Sequence, residues 1–223
     1  MQLGLAGVLL GAGLLVPTPL GEGARPLLPA EPELGACLAA GCPDAVREQL
    51  VARLEDHLFE RMPAVSQRVH EAVARAIASE AEAVDVDPLL VLAMIEVESG
   101  FDPDAASHAG ARGLMQLLPG TMRRETEALG LGDASPEDPV VNVRAGIRYL
   151  RRCLDAYPRH EDLALMAYNS GPNRVLEFLE DGEVPAWAAA YPRRVEAARR
   201  RLDKVFRAEP PSRVAVAGPA PGR

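Results

Sequence analysis

Residues 88–121, PLLVLAMIEVESGFDPDAASHAGARGLMQLLPGT, decide how the chain folds. A proline suited to the first turn of a helix opens the stretch, residues 89–97 are mostly apolar, and Ser-Gly follows Glu98. The pattern predicts a buried helix that ends near Glu98. In the helical period Glu98 shares a stripe with three apolar residues: Val91, Met94 and Ile95. Hydrocarbon around the carboxyl disfavours its ionisation, which suits a general acid.

A second glutamate, Glu96, lies two positions before Glu98. A two-residue offset places the two side chains about 200° apart around a helix axis, so they do not form a pair that acts on one substrate. Taken alone, a glutamate at a helix end is more often a solvated charge than a catalyst. From the helix pattern by itself, both interpretations of Glu98 stay open.

Further motifs follow this helix in a fixed order. They are the remainder of the stretch at 101–121, then Asp138-Pro139 with Asn142, Gly146 and Tyr149-Leu150, and finally AYNSGP at 167–172. With this spacing, residues 66–205 resemble the soluble lytic transglycosylase family, lysozyme-like enzymes that cut the glycan strands of bacterial peptidoglycan. The resemblance implies an all-α, mostly helical, lysozyme-like domain with a substrate cleft between helical lobes.

The resemblance assigns the catalytic role to Glu98, because the family's catalytic glutamate directly precedes a serine. It implies substrate-binding roles for six residues: Ser107, Met115, Gln116, Tyr168, Asn169 and Tyr191. In the family the Gln amide bonds the sugar or its acetamido group and the Met packs on the sugar. The Tyr of A-Y-N holds the catalytic carboxyl or the substrate, and the Asn stabilises the local backbone or the sugar.

Two of these assignments have structural alternatives, and one rests on an incomplete motif. On physical grounds Met115 is equally a core residue, and the pair at 168–169 is equally a helix end before Gly-Pro. Tyr191 lies where the sequence departs from the family pattern, because the Glu-Thr pair expected between Pro185 and Tyr191 is missing.

The resemblance implies a reaction with one carboxylate, although a hydrolase typically uses two. Glu98 would protonate the leaving oxygen, then take the proton of the C6 hydroxyl of N-acetylmuramic acid as that oxygen attacks C1. The product would be a 1,6-anhydromuramic end, with no metal or organic cofactor needed. Two alternatives are a goose-lysozyme-like hydrolase, which needs a second carboxylate near Glu98, and a non-catalytic peptidoglycan-binding scaffold.

Composition restricts the partners that we expect. The chain has 223 residues and a formal net charge of −8, which argues against nucleic acid as the main partner. Its four histidines and three cysteines show no zinc-ligand spacing. The expected partner is therefore the peptidoglycan glycan strand, bound by a monomer, with cell-envelope machinery as an open possibility.

The N-terminus predicts export. Residues 3–16 are apolar and uncharged, which fits a secretory signal peptide over residues 1–24 and is too short for a spanning helix. No Lys or Arg precedes the run, so an uncleaved, membrane-associated N-terminus or a misassigned start stays open. A lipid anchor at Cys37 is disfavoured because glutamates separate it from the apolar run. Pairing of Cys37 with Cys42 also stays open. We expect a periplasmic protein.

The rest of the chain divides by composition and periodicity. Residues 25–43 predict a linker, 44–65 an N-terminal helical extension, 66–207 the catalytic domain and 208–223 a disordered tail. Within the catalytic domain we expect helices at 66–84, 122–132, 140–157, 162–168 and 193–206. Three arginines of the helix predicted at 140–157 should form a solvated face: Arg148, Arg151 and Arg152.

Overall fold

The fold is that of a computed structural model, which describes residues 44–132 and 134–208. The predicted signal peptide and linker, Cys37 and Cys42, and the tail from residue 209 onwards lie outside the described residues. None of the helices in the described ranges is long and apolar enough to cross a membrane.

The described residues form eight α-helices and, apart from two isolated bridges, no β-structure, so the all-α prediction is confirmed. In chain order the helices are α1 Asp44–Arg61, α2 Gln67–Ala83, α3 Pro88–Glu98, α4 Pro119–Ala128, α5 Pro139–Ala156, α6 Glu161–Ser170, α7 Pro172–Asp181 and α8 Ala186–Ala208.

Helix α3 runs through the core, as its unbroken apolar sequence predicts. Every residue from Leu90 to Ile95 is at most 2% exposed. The Asp87 carboxylate caps the helix by accepting a hydrogen bond from the backbone N–H of Leu89 at 2.9 Å. The same carboxylate pairs with Arg199 of α8 at 2.6 Å. Because α3 is buried along its length and its N-terminal end is capped and paired with α8, its last residue, Glu98, has a defined position.

Helix α8 begins seven residues before the predicted start at Arg193 and contains Pro192 in its interior. The predicted start was wrong. A proline inside a helix removes a backbone hydrogen bond and costs roughly 3 kcal/mol, so the local sequence favours a start after Pro192. Here Pro192 is itself buried on the apolar face of α8. The other buried residues of that face are Ala188, Tyr191, Val195, Ala198, Leu202 and Phe206. Burial of this face offsets the lost bond.

Helix α4 is also displaced from its predicted position, since it begins at Pro119 and ends at Ala128. Proline is tolerated in the first helical turn because its missing N–H would have no intrahelical partner there.

The arginines of α5 were expected on a solvated face, and their side chains are 30 to 42% exposed, but two of them also pair with buried acids. Arg148 pairs with Glu80 of α2, which is 5% exposed, and Arg152 pairs with Glu125 of α4, which is 2% exposed. Burial raises the pKa of the Glu125 carboxyl, and the charge of Arg152 opposes that rise. Arg151 pairs on the surface of α5 itself. The arginines therefore join α5 to α2 and α4.

Candidate active site

Glu98 is the last residue of α3, and its half-buried carboxyl meets a tyrosine from α8. The Tyr191 hydroxyl donates a hydrogen bond to Oε1 of Glu98 at 2.6 Å, and Tyr191 is 1% exposed. Burial raises the pKa of Glu98 from 4.5 to about 7, although the Tyr191 hydrogen bond and the charge of Arg194 lower it. The carboxyl therefore changes protonation near neutral pH, as a group that first gives and then takes a proton requires.

Arg194 is the cation beside this pair. Its guanidinium carbon lies 5.7 Å from the centroid of the Tyr191 ring, one helical turn along α8. The position places a positive charge near the carboxyl without a direct ion pair. The ionised form of Glu98 is thus stabilised by two groups while the carboxyl keeps its raised pKa.

Among the described residues, the groups that shift the pKa of Glu98 are Tyr191 and Arg194, and they include no second carboxylate. Glu96 is paired with Arg201 of α8 at 2.7 Å, as expected from its position on another side of α3. The nearest downstream acid, Asp102, accepts from the backbone N–H of Asp104 at 2.9 Å in an exposed turn. Each of these acids has a structural partner of its own.

The segment after α3, residues 101–118, is a folded loop held by two bridges, Ala106 to Arg112 and Arg112 to Leu117. Ser107 closes one turn of this loop, since its Oγ accepts from the backbone N–H of Ala111 at 3.0 Å. Ser107 is exposed at the loop surface, so it orders the loop and also presents a hydroxyl to solvent.

Gln116 holds the same loop from inside. Its backbone has a positive φ of 48°, and its side-chain Nε2 donates to the carbonyls of Ala105 and Gly113, each at 3.0 Å. The two amide hydrogens are therefore used by the loop backbone. The amide carbonyl oxygen is the acceptor that remains for a ligand.

Met115 lies in the core, where its side chain is 0% exposed. It packs on Gly146 of α5, where an added Cβ would lie 2.8 Å from the Met115 Cβ, so only glycine allows this approach. The Tyr168 hydroxyl donates to the Met115 backbone carbonyl at 2.9 Å. In this structure Met115 and Tyr168 thus shape the loop, and the hydroxyl that reaches Glu98 comes from Tyr191.

Asn142 is the main positioning residue to which the sequence analysis gave no role. It is 0% exposed, and its Oδ1 accepts from the Met115 backbone N–H at 2.8 Å. Its Nδ2 donates to the carbonyl of Arg112 at 2.9 Å and to that of Pro136 at 3.0 Å. The available signal was an asparagine on the apolar face of α5, because a buried amide requires hydrogen-bond partners.

The assigned residues thus form two groups. Glu98 and Tyr191 are in direct contact, while Met115, Gln116 and Tyr168 build the loop beside them. Asn169 is exposed near the C-terminal end of α6. Across the described ranges, no cluster of three or more His, Cys, Asp or Glu side chains is arranged to hold a metal ion.

Comparison with known proteins shows which family the chain resembles. The family model for the transglycosylase SLT domain matches residues 75–183. Soluble lytic murein transglycosylase of Salmonella typhimurium is 28% identical over 139 residues, which cover 60% of this chain and 20% of that protein. Membrane-bound lytic murein transglycosylase C of Actinobacillus pleuropneumoniae is 36% identical over 107 residues, covering 43% of this chain and 29% of that protein.

The solved structures include lytic transglycosylase Slt of Pseudomonas aeruginosa, determined as an inactive glutamate-to-glutamine mutant. It matches with a TM-score of 0.55 and 26% identity, covering 74% of this chain and 31% of that one. The 70-kDa soluble lytic transglycosylase of Escherichia coli shares the fold with a TM-score of 0.53 at 22% identity, covering 79% of this chain and 33% of that one.

The chain spans only about a fifth of the Salmonella protein and less than a third of the Actinobacillus one. The segment matched by the family model includes the loop and the glutamate described above. The lysozyme-like helical fold expected from the motifs is confirmed by the solved structures. Residues 75–183, just under half of this chain, are thus similar to the transglycosylase SLT domain family.

Proposed function

We propose that this protein is a peptidoglycan lytic transglycosylase. It cleaves the β-1,4 bond between N-acetylmuramic acid and N-acetylglucosamine and leaves a 1,6-anhydromuramic end. The observation that carries the proposal is the Glu98 carboxyl, whose pKa burial raises to about 7 and whose Oε1 accepts the Tyr191 hydrogen bond. The names of the relatives, lytic murein transglycosylases, support the same reaction.

In the first step the protonated Glu98 gives its proton to the glycosidic oxygen, and the bond from that oxygen to C1 of muramic acid breaks. The electron pair of the bond stays on the departing N-acetylglucosamine, and C1 develops oxocarbenium character. The raised pKa favours this step, because the carboxyl still carries its proton near neutral pH.

In the second step the C6 hydroxyl of the same muramic acid attacks C1, and Glu98, now a carboxylate, takes the hydroxyl proton. The glutamate returns to its starting form and no water is consumed. Between the steps the negative charge on Glu98 is stabilised by the Tyr191 hydroxyl at 2.6 Å and by the nearby Arg194. A single carboxylate suffices because the substrate supplies the nucleophile.

The sugar contacts proposed for the other assigned residues follow from which atoms the fold leaves accessible. Gln116 offers its amide oxygen to an acetamido N–H, and Asn169 and Ser107 offer exposed polar groups. Met115 and Tyr168 act indirectly, by fixing the loop that carries Gln116. Peptidoglycan as substrate places the working enzyme outside the cytoplasmic membrane, in the periplasm.

The test is mass spectrometry of the soluble products from purified peptidoglycan treated with the protein. We expect fragments with 1,6-anhydromuramic ends, each lighter by one water than the corresponding reducing fragment. The variant Glu98→Gln should yield none. Glu96→Gln is the matched control, since Glu96 lies on the same helix but faces Arg201, and it should give the wild-type products.

Two outcomes would contradict the proposal. Reducing ends in place of anhydro ends would identify a hydrolase and require a second carboxylate. Binding of peptidoglycan without cleavage by the wild-type protein would identify a scaffold.

A further inference from the structure

Trp187 is the one tryptophan of the 223-residue chain, and it is 54% exposed. It lies in the first turn of α8, within the stretch between Pro185 and Tyr191 where the expected Glu-Thr pair is missing. A large aromatic side chain in this position is not explained by the core, because more than half of its surface faces solvent. The exposure of this ring therefore needs an explanation other than packing.

The position of Trp187 relates it directly to the catalytic pair. It precedes Tyr191 by four residues on the same helix, which places the two side chains on one face about 6 Å apart along the axis. Tyr191 contacts Glu98 at 2.6 Å. The apolar face that α8 buries from Phe206 back to Tyr191 thus continues for one more turn, to a ring that the core does not cover.

The Trp187 ring is held in place by α7. The ring of Phe178 meets it edge to face with centroids 5.7 Å apart, and the guanidinium carbon of Arg174 lies 5.9 Å from the Trp187 centroid. Phe178 is 8% exposed, so it anchors the contact to the core. Contacts of this kind fix the orientation of a ring while part of its surface remains accessible.

We propose that Trp187 is a stacking platform for an uncharged N-acetylglucosamine ring of the glycan strand, one unit away from the bond that Glu98 cleaves. The proposal rests on the proposed function for the identity of the strand. Continuity with the Glu98 and Tyr191 pair indicates a glycan, because a strand bound at the carboxyl must extend along the neighbouring surface.

Charge and shape favour a neutral sugar over other occupants. The exposed residues of α7 and the following turn include four acids, Glu177, Glu180, Asp181 and Glu183. These acids outnumber Arg174, the one cation of α7, and so disfavour an anionic polymer at this edge. A flat aromatic ring with a solvent-exposed edge fits the apolar face of a pyranose. Aromatic side chains stack on nucleic-acid bases in the same way, without specific hydrogen bonds.

The test uses the full chain carrying Glu98→Gln, which prevents turnover, with the N-acetylglucosamine tetramer as probe. Because Trp187 is the only tryptophan, intrinsic tryptophan fluorescence reports on this site alone. We expect a saturable change in emission on titration. By calorimetry, adding Trp187→Ala should weaken binding about tenfold, whereas Trp187→Phe, which keeps a ring, should weaken it about threefold.

The matched control is Val205→Ala, because Val205 is an exposed apolar residue at the far end of the same helix. It should leave tetramer affinity unchanged. Circular dichroism melts of each variant establish that the fold is kept, and the fluorescence titration itself needs no substitution at Trp187.

The outcomes separate this inference from the proposed function. If the wild-type protein forms anhydro products but the tetramer binds without a change in tryptophan emission, the platform is overturned and the reaction stands. If the emission responds and Trp187→Ala weakens binding while no peptidoglycan is cleaved, the platform stands and the reaction fails. If Trp187→Ala leaves sugar affinity unchanged but abolishes a dimer seen by ultracentrifugation, the ring is an interface between copies.

Discussion

Two inward-facing glutamates, Glu98 on α3 and Glu80 on α2, have opposite environments. Glu80 is 5% exposed and lies between two arginines of α5, with Nε of Arg144 at 3.0 Å and Arg148 on its other oxygen. Glu98 is half-buried and its direct partner is the neutral hydroxyl of Tyr191. Both side chains are shielded from water, but only the charge of Glu80 is balanced by direct contact with cations.

The comparison shows that the partner, more than burial, separates a structural carboxylate from a proposed catalytic one. Two guanidinium groups stabilise the charge of Glu80 and fix α5 on α2. A hydroxyl donates to Glu98 without a full positive charge, so burial dominates and the pKa rises to about 7. The same residue type thus joins helices at one site and can exchange a proton at the other.

The largest expected effect is on stability, with Glu98→Gln. The Glu98 pKa is 4.5 in the unfolded chain and about 7 in the fold, so between these values the folded protein holds a proton that the unfolded chain releases. Its free energy of unfolding therefore falls as pH rises through this window, by about 3 kcal/mol at pH near 8. A glutamine at position 98 does not ionise, so it causes no such loss of stability as the pH rises.

Urea unfolding followed by circular dichroism checks this effect. Glu98→Gln should be more stable than wild type by about 3 kcal/mol near pH 8 and equal to it near pH 4. A stability difference that does not change with pH would mean that Glu98 is not the group with the raised pKa.

Glu80→Gln should act in the opposite direction. Loss of the charge leaves Arg144 and Arg148 facing each other, but both side chains are at least a third exposed and water can solvate them in part. We expect a loss of about 2 kcal/mol in the free energy of unfolding, below the range for fully buried pairs. The control is Glu48→Gln, which removes the exposed pair with Arg75 and should change stability by less than about 0.5 kcal/mol.

Tyr191→Phe should remove the hydrogen bond to Glu98 and leave burial and the charge of Arg194 to determine its pKa. The hydroxyl stabilises the carboxylate, so its loss raises the pKa of Glu98 further and leaves the carboxyl less well oriented. We expect kcat/KM on peptidoglycan fragments to fall about tenfold. The descending limb of the pH profile, near 7 in the wild type, should move to higher pH. An unchanged limb would show that another group controls it.

Arg194→Gln should give the smallest effect. The charge of Arg194 lowers the pKa of Glu98 across the Tyr191 ring, without a direct contact. Its removal should raise the descending limb by a fraction of a pH unit, and added salt should reduce the difference between variant and wild type. Arg200→Gln on the same helix removes a surface pair with Glu196 and should leave the profile unchanged. A shift to lower pH in Arg194→Gln would contradict the electrostatic assignment.

The sequence predicted the features that depend on local pattern. The position of α3 and of Glu98 at its end follow from an apolar run closed by Ser-Gly, and the structure has both. The ends of α2 and α5 fall within one residue of those expected, because periodicity and proline mark them. Tyr191 was assigned from the two residues that remain of an incomplete motif, and its contact with Glu98 spans 93 residues.

The features that the sequence did not predict depend on contacts between distant helices. Arg148 and Arg152 occupy the polar side of α5, and nothing local indicates that Glu80 and Glu125 meet them there. The early start of α8 depends on burial of its apolar face, which outweighs the local preference of Pro192. The contacts of Asn142 follow from the fold of a loop 27 residues away.

The fastening of the 101–118 loop by Asn142 has a consequence for amide hydrogen exchange. The Met115 N–H donates to a side-chain oxygen that has no contact with solvent, and the loop carbonyl of Arg112 is held by the same amide group. Exchange at Met115 therefore requires α5 to separate from the loop. We expect this amide, although it belongs to no helix, to exchange as slowly as the interior of α3. The loop then opens together with the helical core as one cooperative unit.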